Sequence, residues 1–555
     1  LAPLRPAEQR LLAGLDSGEV VRLGDGTLPD AAAEDRVLRA GLLRFLALGG
    51  EDGHRPHEKG VRVSGAWIVG VLDLEGCRLA GDLRLTDCHF EDAPVVRAAR
   101  IESLVLDRAV LPGLAAERVE VRGGLYLRGA RLLGAVRLQG ARLIGDVEAD
   151  GARIEVPEGQ ALRADDLEAT GSVLVRGATL RGGIGLTGAR LGADLDLRGT
   201  ALERPEGHVL DADGLTTRGD VILRTSVLRG GTRLVGARIE GDLDATGARF
   251  EQPGAGALLL NRAVIEGALF LRDGAVVRGT LDLTAATVGA LHDEPAAWPA
   301  AGELRLNRCL YAAFIGGPVD ASELLDWLAR QDPERQGEEF WPQPYEHLAK
   351  VLGEMGHGED ARAVLIEKER LQRRARRARA RHPVARGTLW AWDGLLGVTV
   401  GYGRQPLLAF AWLGLAWLAG VAMFATVAAH DAFKPGIPMV LRAPEWTLCA
   451  APTAERRFMA ATQSFAQGLA APGQPQLACF RAQTEAASYP RLDVAMYALD
   501  TLFPFIDIGQ EAHWLPDPAT PWGRAGRAYL YLHAALGWML SLLAVAGFSG
   551  LVKAG

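Results

Sequence analysis

The chain has 555 residues, 48% of them hydrophobic but only 6% aromatic, with 68 glycines and a net charge of −7. This composition lies between the soluble and membrane classes and leaves room for two or more domains; abundant glycine with little aromatic bulk suits many tight, similar turns around a narrow core. The five cysteines include no C-x-x-C pair, which removes the commonest thiolate metal and redox motif.

Residues 1–50 carry scattered charge and no sustained apolar core, so no signal peptide is expected there. The amphipathic stretch 36–48 (RVLRAGLLRFLAL) makes residues 1–58 the expected helical cap at the N-terminal end of a repeat region.

From about residue 61 to about 314 the chain repeats itself. Residues 151–198 (GARIEVPEGQALRADDLEATGSVLVRGATLRGGIGLTGARLGADLDLR) return as 199–246, and a third copy opens at Gly247, a period of 48 residues. Leu127, Val175, Leu223 and Leu271 correspond, each followed by an arginine: Arg128, Arg176, Arg224 and Arg272. Within each unit are eleven-residue cells, GATLRGGIGLT and then GARLGADLDLR, whose alternating apolar residues and glycines signal strand and turn. Two cells make one coil of 22 residues, and the other 26 make a second coil with a longer loop. The spacing predicts a β-solenoid over residues 59–317, of roughly ten coils and about 50 Å long at ~4.8 Å per coil.

Two features inside the repeat invite functional readings. Gly183-Ile-Gly185-Leu-Thr-Gly188 fits the dinucleotide pattern G-x-G-x-x-G, but a strand rather than a helix follows it, and the glycines are expected at turns of the repeat. The Arg128–Arg176–Arg224–Arg272 series predicts a column on one face, every second coil. A basic stripe for an anionic partner is the sharper reading; a solvated face interleaved with Asp and Glu is the preferred one. Polysaccharide-cleaving β-helices need acids converging on long loops, which coils this short do not build. No H-E-x-x-H occurs and the eleven histidines are scattered, so catalytic, cofactor and metal residues are assigned to none, and an enzyme is the least supported class.

Residues 318–386 change to helical spacing. Tyr345, Leu348 and Leu352 share one face, and Ala361 to Ile366 open a second helix after a glycine-containing turn, a hairpin expected to cap the solenoid. Between Arg362 and Arg386 stand ten Lys/Arg against two acids, Glu367 and Glu369. Arg373, Arg374, Arg376, Arg377, Arg379 and Arg381 just before an apolar span favour orientation by the positive-inside rule and contact with anionic lipid over nucleic-acid binding.

Leu407–Ala429 is 23 residues without a charge, and 529–552 is 24 with only His533 ionisable, each long enough to cross about 30 Å of hydrocarbon. A short helix at 388–400, with Trp390 and Trp392, is expected to lie in the membrane interface within the segment 387–430. With the arginines cytoplasmic, both termini are expected in the cytoplasm of a bacterial inner membrane, residues 431–526 outside it, and 527–555 as the returning span. Cys449 and Cys479 both fall in the external segment and are disulfide candidates.

Residues 399–403 (TVGYG) spell the potassium-filter pentapeptide, but they precede the first span; a glycine corner between helices is preferred. Residues 492–511 (LDVAMYALDTLFPFIDIGQE) lie between the spans. A re-entrant element with Asp500, Asp507 and Glu511 lining a cation path is one reading, and an amphipathic helix on the membrane surface is the preferred one.

Taken together, residues 60–74 (GVRVSGAWIVGVLDL), 345–368, 400–406 (VGYGRQP), 497–510 (YALDTLFPFIDIGQ) and 537–551 (GWMLSLLAVAGFSGL) resemble a large bacterial family of β-helical, pentapeptide-like repeat proteins with a C-terminal two-helix membrane domain. Arg404-Gln405 stands where that family's pattern has Tyr-Arg. Its members often carry the label membrane-associated oxidoreductase, yet no redox motif accompanies the resemblance here. The resemblance implies an architecture, and pentapeptide-repeat relatives mostly serve as binding surfaces. The expected function is therefore a membrane-anchored, non-enzymatic interaction scaffold, with a homo-oligomeric channel-like pore as the alternative. Lipid, an undetermined protein partner and other copies of the chain are the expected partners.

Overall fold

The computed structural model describes residues 3–331, 339–403, 405 and 407–548. The chain divides into two compact units, Leu1–Arg379 and Ala380–Gly555.

The first unit is a parallel β-solenoid of about eleven turns, one more than the repeat predicts. Pairing already starts at Val21–Arg22 and Val37–Arg39, before the recognisable repeat begins. Coil rises alternate as the 48-residue period requires. Val147 pairs with Val173, Val173 with Leu195, Leu195 with Val221 and Val221 with Leu243, so the steps are 26, 22, 26 and 22 residues. Inward Leu, Val, Ile and Ala form one continuous buried cluster along the stack, and outward positions carry Arg, Glu and Thr. Strands of two residues suffice because each is paired above and below in register.

The four extra residues of the longer coil appear as a bulge. Glu155 pairs with Arg181 and Gln160 with Gly183, so residues 156–159 oppose the single residue Gly182 and account for three of the four; Ala161, unopposed between the Gln160–Gly183 and Leu162–Ile184 pairs, is the fourth. Gly182 has φ +132°, and a Cβ there would fall 2.6 Å from the Val156 carbonyl oxygen. Gly230 and Gly279 repeat the arrangement beneath the next two bulges, which explains why a glycine follows Arg181, Arg229 and Arg278. Of the dinucleotide-like glycines, only Gly188 is at a turn; Gly183 and Gly185 are inside the strand Thr179–Gly185, correcting that part of the expectation.

Both ends of the stack are covered. At the start, helices Pro6–Gly14 and Ala40–Ala47 bury Leu11, Leu43 and Leu46 on the first coils. The expected helix over 36–48 is shorter, because Val37–Arg39 pairs with Trp67–Val69 as a strand. The buried Glu8 holds that junction, accepting from Arg39 Nε at 2.7 Å and from Arg5 N at 3.0 Å. At the far end stand helices Ala321–Ala329, Gln343–Glu354 and Gly358–Arg379, the first of them not anticipated. Trp327, Tyr345, Leu348 and Val364 extend the solenoid core. Gln343 accepts from Arg308 N at 2.8 Å and donates to the Cys309 carbonyl at 3.2 Å, satisfying an otherwise open strand edge.

The second unit is helical. Helix Pro383–Val400, five residues longer at its start than expected, ends at a left-handed Gly401, and the chain turns there before Leu407–Ala429. The second long apolar helix, Pro521–Phe548, begins eight residues before the apolar run at 529; residues 549–552 of that run lie outside the described residues. The two helices are antiparallel, with Val427 against Gly526, Gly420 against His533, and Leu413 beside Leu540. Between them the chain folds into a small module that the sequence left undivided. Phe433–Pro435 pairs with Trp514–Pro516, Arg456–Met459 forms a hairpin with Ser464–Gln467, and Cys449 is bonded to Cys479 with Cα atoms 5.6 Å apart.

Candidate functional site

Helix Val494–Leu502 lies in the cleft between the two long apolar helices. Its first turn is capped by Asp493, whose Oδ1 accepts from Ala495 N and Met496 N at 2.9 and 3.0 Å. Its end is set by Pro504, since Phe503 before it is extended (φ −98°, ψ 111°). Tyr497, Ala498 and Leu502 are fully buried.

Two glycines on the long helices admit this third helix. A Cβ on Gly537 would fall 1.7 Å from the Leu502 carbonyl oxygen, and one on Gly420 would meet His533 at 2.6 Å and Ala498 at 3.3 Å. Polar contacts fix the seat. Trp417 Nε1 donates to the Ala495 carbonyl at 3.0 Å, and His533 Nε2 is 3.1 Å from the Ala498 carbonyl oxygen. The Tyr497 ring stands edge-on to Phe424 with centroids 4.9 Å apart, while Leu502 packs among Leu413, Ala416 and Leu540. Phe424 and Leu413 are 5 and 16 residues from the Ala429 end of their helix, so the inserted helix runs from about 8 to about 24 Å along it at ~1.5 Å per residue.

The chain then returns through residues 503–509. Asp500 is buried and directs both carboxylate oxygens at the returning backbone, accepting from Ile508 N at 2.7 Å and Glu511 N at 2.8 Å. Asp507 is exposed and accepts from Gly509 N at 2.9 Å. Glu511 is exposed at the start of the short helix Gln510–His513. Phe505, Ile506 and Ile508 are exposed beside these acids. The three predicted carboxylates are therefore gathered around one loop, but Asp500, on the inserted helix, is turned inward to hold it. The segment is wedged between the apolar helices rather than lying on a surface as an amphipathic helix, because Gly420 and Gly537 leave it a slot. Those glycines, with Trp417 and His533, are the residues sequence reading passed over. Small residues and a lone histidine within apolar spans were the signals available.

The other predicted residues lie apart from this loop. Arg374, Arg376, Arg379 and Arg381 are exposed, while Arg373 approaches Glu369 at 3.9 Å and Arg377 is half-buried. At the TVGYG segment, Gly401 and Tyr402 have φ of +53° and +55°, a corner between two helices; Arg404 and Pro406 lie outside the described residues. The repeat arginines are neutralised within the solenoid. Arg128 binds Asp107 at 2.6 Å, Arg176 binds Asp150, Arg224 binds Asp244 at 2.5 Å, and Arg272 lies 3.5 Å from Asp273. A groove of about 830 Å³ on the solenoid is likewise balanced, with Arg142 and Arg190 both on Glu168 at 3.1 and 3.3 Å. Among the described residues no three His, Cys, Asp or Glu are placed to hold a metal ion.

These features define the class: a parallel β-solenoid protein with a helical C-terminal region containing two helices long and apolar enough to cross a membrane. The chain matches no family model, no curated protein and no solved structure.

Proposed function

We propose that the protein is a membrane-anchored, non-enzymatic interaction scaffold whose solenoid presents a rigid, charge-balanced surface on the cytoplasmic side of a bacterial inner membrane. The observation that carries this reading is the exposure of the two long helices. Only 28% and 33% of their most apolar stretches are buried, and Leu407, Phe410, Leu415, Leu418, Leu532, Leu542 and Val545 stand open. Contiguous apolar surface of that extent requires a lipid or protein cover. Exposed Trp390 and Trp392 on the preceding helix suit the interfacial zone, and the exposed arginines around 374–381 suit anionic lipid on the cytoplasmic side. The Cys449–Cys479 bond supports an oxidising exterior for the module between the helices.

Alkaline extraction of native membranes tests the anchor: the chain is expected in the pellet, and release as a peripheral protein would overturn the reading. A maleimide reagent unable to cross the membrane tests the side. After reduction it is expected to label Cys449 and Cys479 in intact spheroplasts, and labelling only after lysis would reverse the topology.

The inserted helix favours a second reading, a homo-oligomeric pore. It anchors through Asp500 a loop that carries the exposed Asp507 and Glu511, and exposed carboxylates are costly against lipid and favourable against water. A single copy has too few helices to enclose a path, so a strictly monomeric solubilised mass would end this reading. Bilayer conductance abolished by Asp507→Ala would instead end the scaffold-only view.

A further inference from the structure

Many arginines of the solenoid are paired with acids, and among those that are not, two share one groove. A groove of about 600 Å³ at one corner of the last coils is lined by Arg233, Arg262, Arg308, Asn261, Asn307 and Trp341, with Thr284 and Ala285 also in its lining and no carboxylate in it among the described residues. Arg233 is held by Asp213, but Arg262 and Arg308 have no acidic partner among the described residues. The larger balanced groove holds Glu120, Glu168 and Glu240 among its arginines.

The same corner column shows how this charge is built. Successive coils place Gly188, Gly214, Gly236, Arg262, Ala285 and Arg308 at one left-handed position, with φ of +57° at Arg262, +56° at Ala285 and +57° at Arg308. Glycine takes this conformation freely and arginine does not. The residue before each runs Thr187, Asp213, Val235, Asn261, Thr284 and Asn307, so an amide precedes the position in both coils where arginine replaces glycine. Asn261 and Asn307 are the only asparagines in the 555 residues, and both occur as Asn-Arg pairs two coils apart. Arg108 has the same backbone conformation at another corner but is neutralised by Asp87 at 2.6 Å, and Arg118, lower in this column, follows Glu117 rather than an asparagine.

We infer that this corner groove is a binding site for a phosphoryl ligand, seated over Ala285 between the guanidinium groups of Arg262 and Arg308, with the Asn261 and Asn307 amides as further donors. Coils are ~4.8 Å apart, so each arginine starts one coil from Ala285, within reach of a shared anion. Guanidinium forks match phosphoryl oxygens bidentately. Trp341, 37% exposed, gives an apolar or planar portion of the ligand a wall to rest on. The chemistry is shared by a free organic phosphate and by a lipid headgroup. The site does not depend on the membrane reading, and its failure would leave that reading intact.

The full chain in detergent is titrated calorimetrically with inorganic pyrophosphate in one arm and with monomeric dihexanoyl phosphatidic acid in the other. Saturable binding is expected in at least one arm, and the arm identifies the source of the phosphate. The double variant Arg262→Gly/Arg308→Gly is expected to weaken it at least tenfold while melting at or above the parent temperature, since glycine suits the left-handed corner. Arg190→Gly, in the balanced groove, is expected to bind as the parent does. Absence of binding in both arms, or a double variant that binds like the parent, overturns the proposal. Should the double variant melt lower, Ala285→Gln decides, because it fills the seat and keeps both arginines: lost binding supports the site and unchanged binding overturns it.

Discussion

The solenoid and the helical unit solve the same problem, burying an apolar surface, in opposite ways. In the solenoid a residue's partners lie one coil away, 22 or 26 positions along the chain in the regular 48-residue repeats, and the same inward Leu, Val and Ala recur coil after coil. A local fault is met by similar neighbours on both sides, as in other stacked repeats. In the helical unit the decisive contacts are single and distant. Leu502 depends on Gly537, Ala498 on Gly420 and His533, and Phe433 on the strand at Pro516. One architecture spreads its specificity over many equivalent rungs, and the other concentrates it in a few close approaches.

The largest expected effect comes from that concentration. Gly537→Leu places a side chain where the Leu502 carbonyl already sits within 1.7 Å of a Cβ position. Expelling the inserted helix is expected to cost about 3 kcal/mol or more, and protease cleavage near residues 494–509 should accelerate while the solenoid's β circular dichroism is retained. If the variant resists cleavage like the parent, the inserted helix is not held by this contact. Cys479→Ser comes next. The bond closes a separation of 30 residues, and its loss is expected to cost about 2–4 kcal/mol. The loss should be confined to the melting of the helical unit; a lowered solenoid transition would show that the two units are not energetically separate.

The same contrast decides what could be read from sequence. The solenoid was legible because its signal is repeated: Leu127, Val175, Leu223 and Leu271 announce a shared position by their spacing alone. Its bulges were legible as a coil-length difference, though their seat over Gly182, Gly230 and Gly279 was not, since only the stacked neighbour reveals the close approach. The long apolar helices were legible from composition. The slot between them was not, because Gly420 and Gly537 have no period and are 117 positions apart in sequence. Asp500 looked like Asp507 in the one-dimensional pattern; the difference lies in the Ile508 and Glu511 amides that occupy it. The Asn-Arg corner was missed for the opposite reason, since the eye is drawn to a repeat's recurring pattern and passes over the coils that depart from it.

A buried carboxyl in the solenoid, where an unrepeated group is costly, sharpens the comparison. Asp293 is buried, with Trp298 Nε1 donating to Oδ2 at 2.8 Å and Oδ1 unpartnered, and burial pushes its carboxyl from 3.8 to about 6. The fold thus takes up a proton that the unfolded chain releases. Stability at this site is greatest below about pH 4, declines as pH rises toward 6, and the full cost of about 3 kcal/mol applies above that. Asp293→Asn is expected to stabilise the solenoid at pH 7 and to make little difference at pH 4. A pH-independent difference in melting temperature would contradict the buried-carboxylate account.

The smallest expected effect concerns the outward charge ladders, and it tests whether repetition on the surface contributes as repetition in the core does. Arg100, Glu120, Arg142, Glu168 and Arg190 succeed one another up the stack, and Arg100 binds Glu120 at 2.9 Å with both side chains about half exposed or more. Exposed pairs contribute roughly 0.2–1 kcal/mol and are screened by salt. A double-mutant cycle of Arg100→Ala and Glu120→Ala is therefore expected to give a coupling in that range that shrinks at high salt. Glu120→Arg should cost more than Glu120→Ala, because it sets three arginines in successive coils ~4.8 Å apart. Equal costs would mean that the ladder has no part in setting coil register, leaving alternation as a means of keeping the surface neutral and soluble. A larger coupling that persists in salt would mean that the outer rungs, like the inner ones, help hold the stack together.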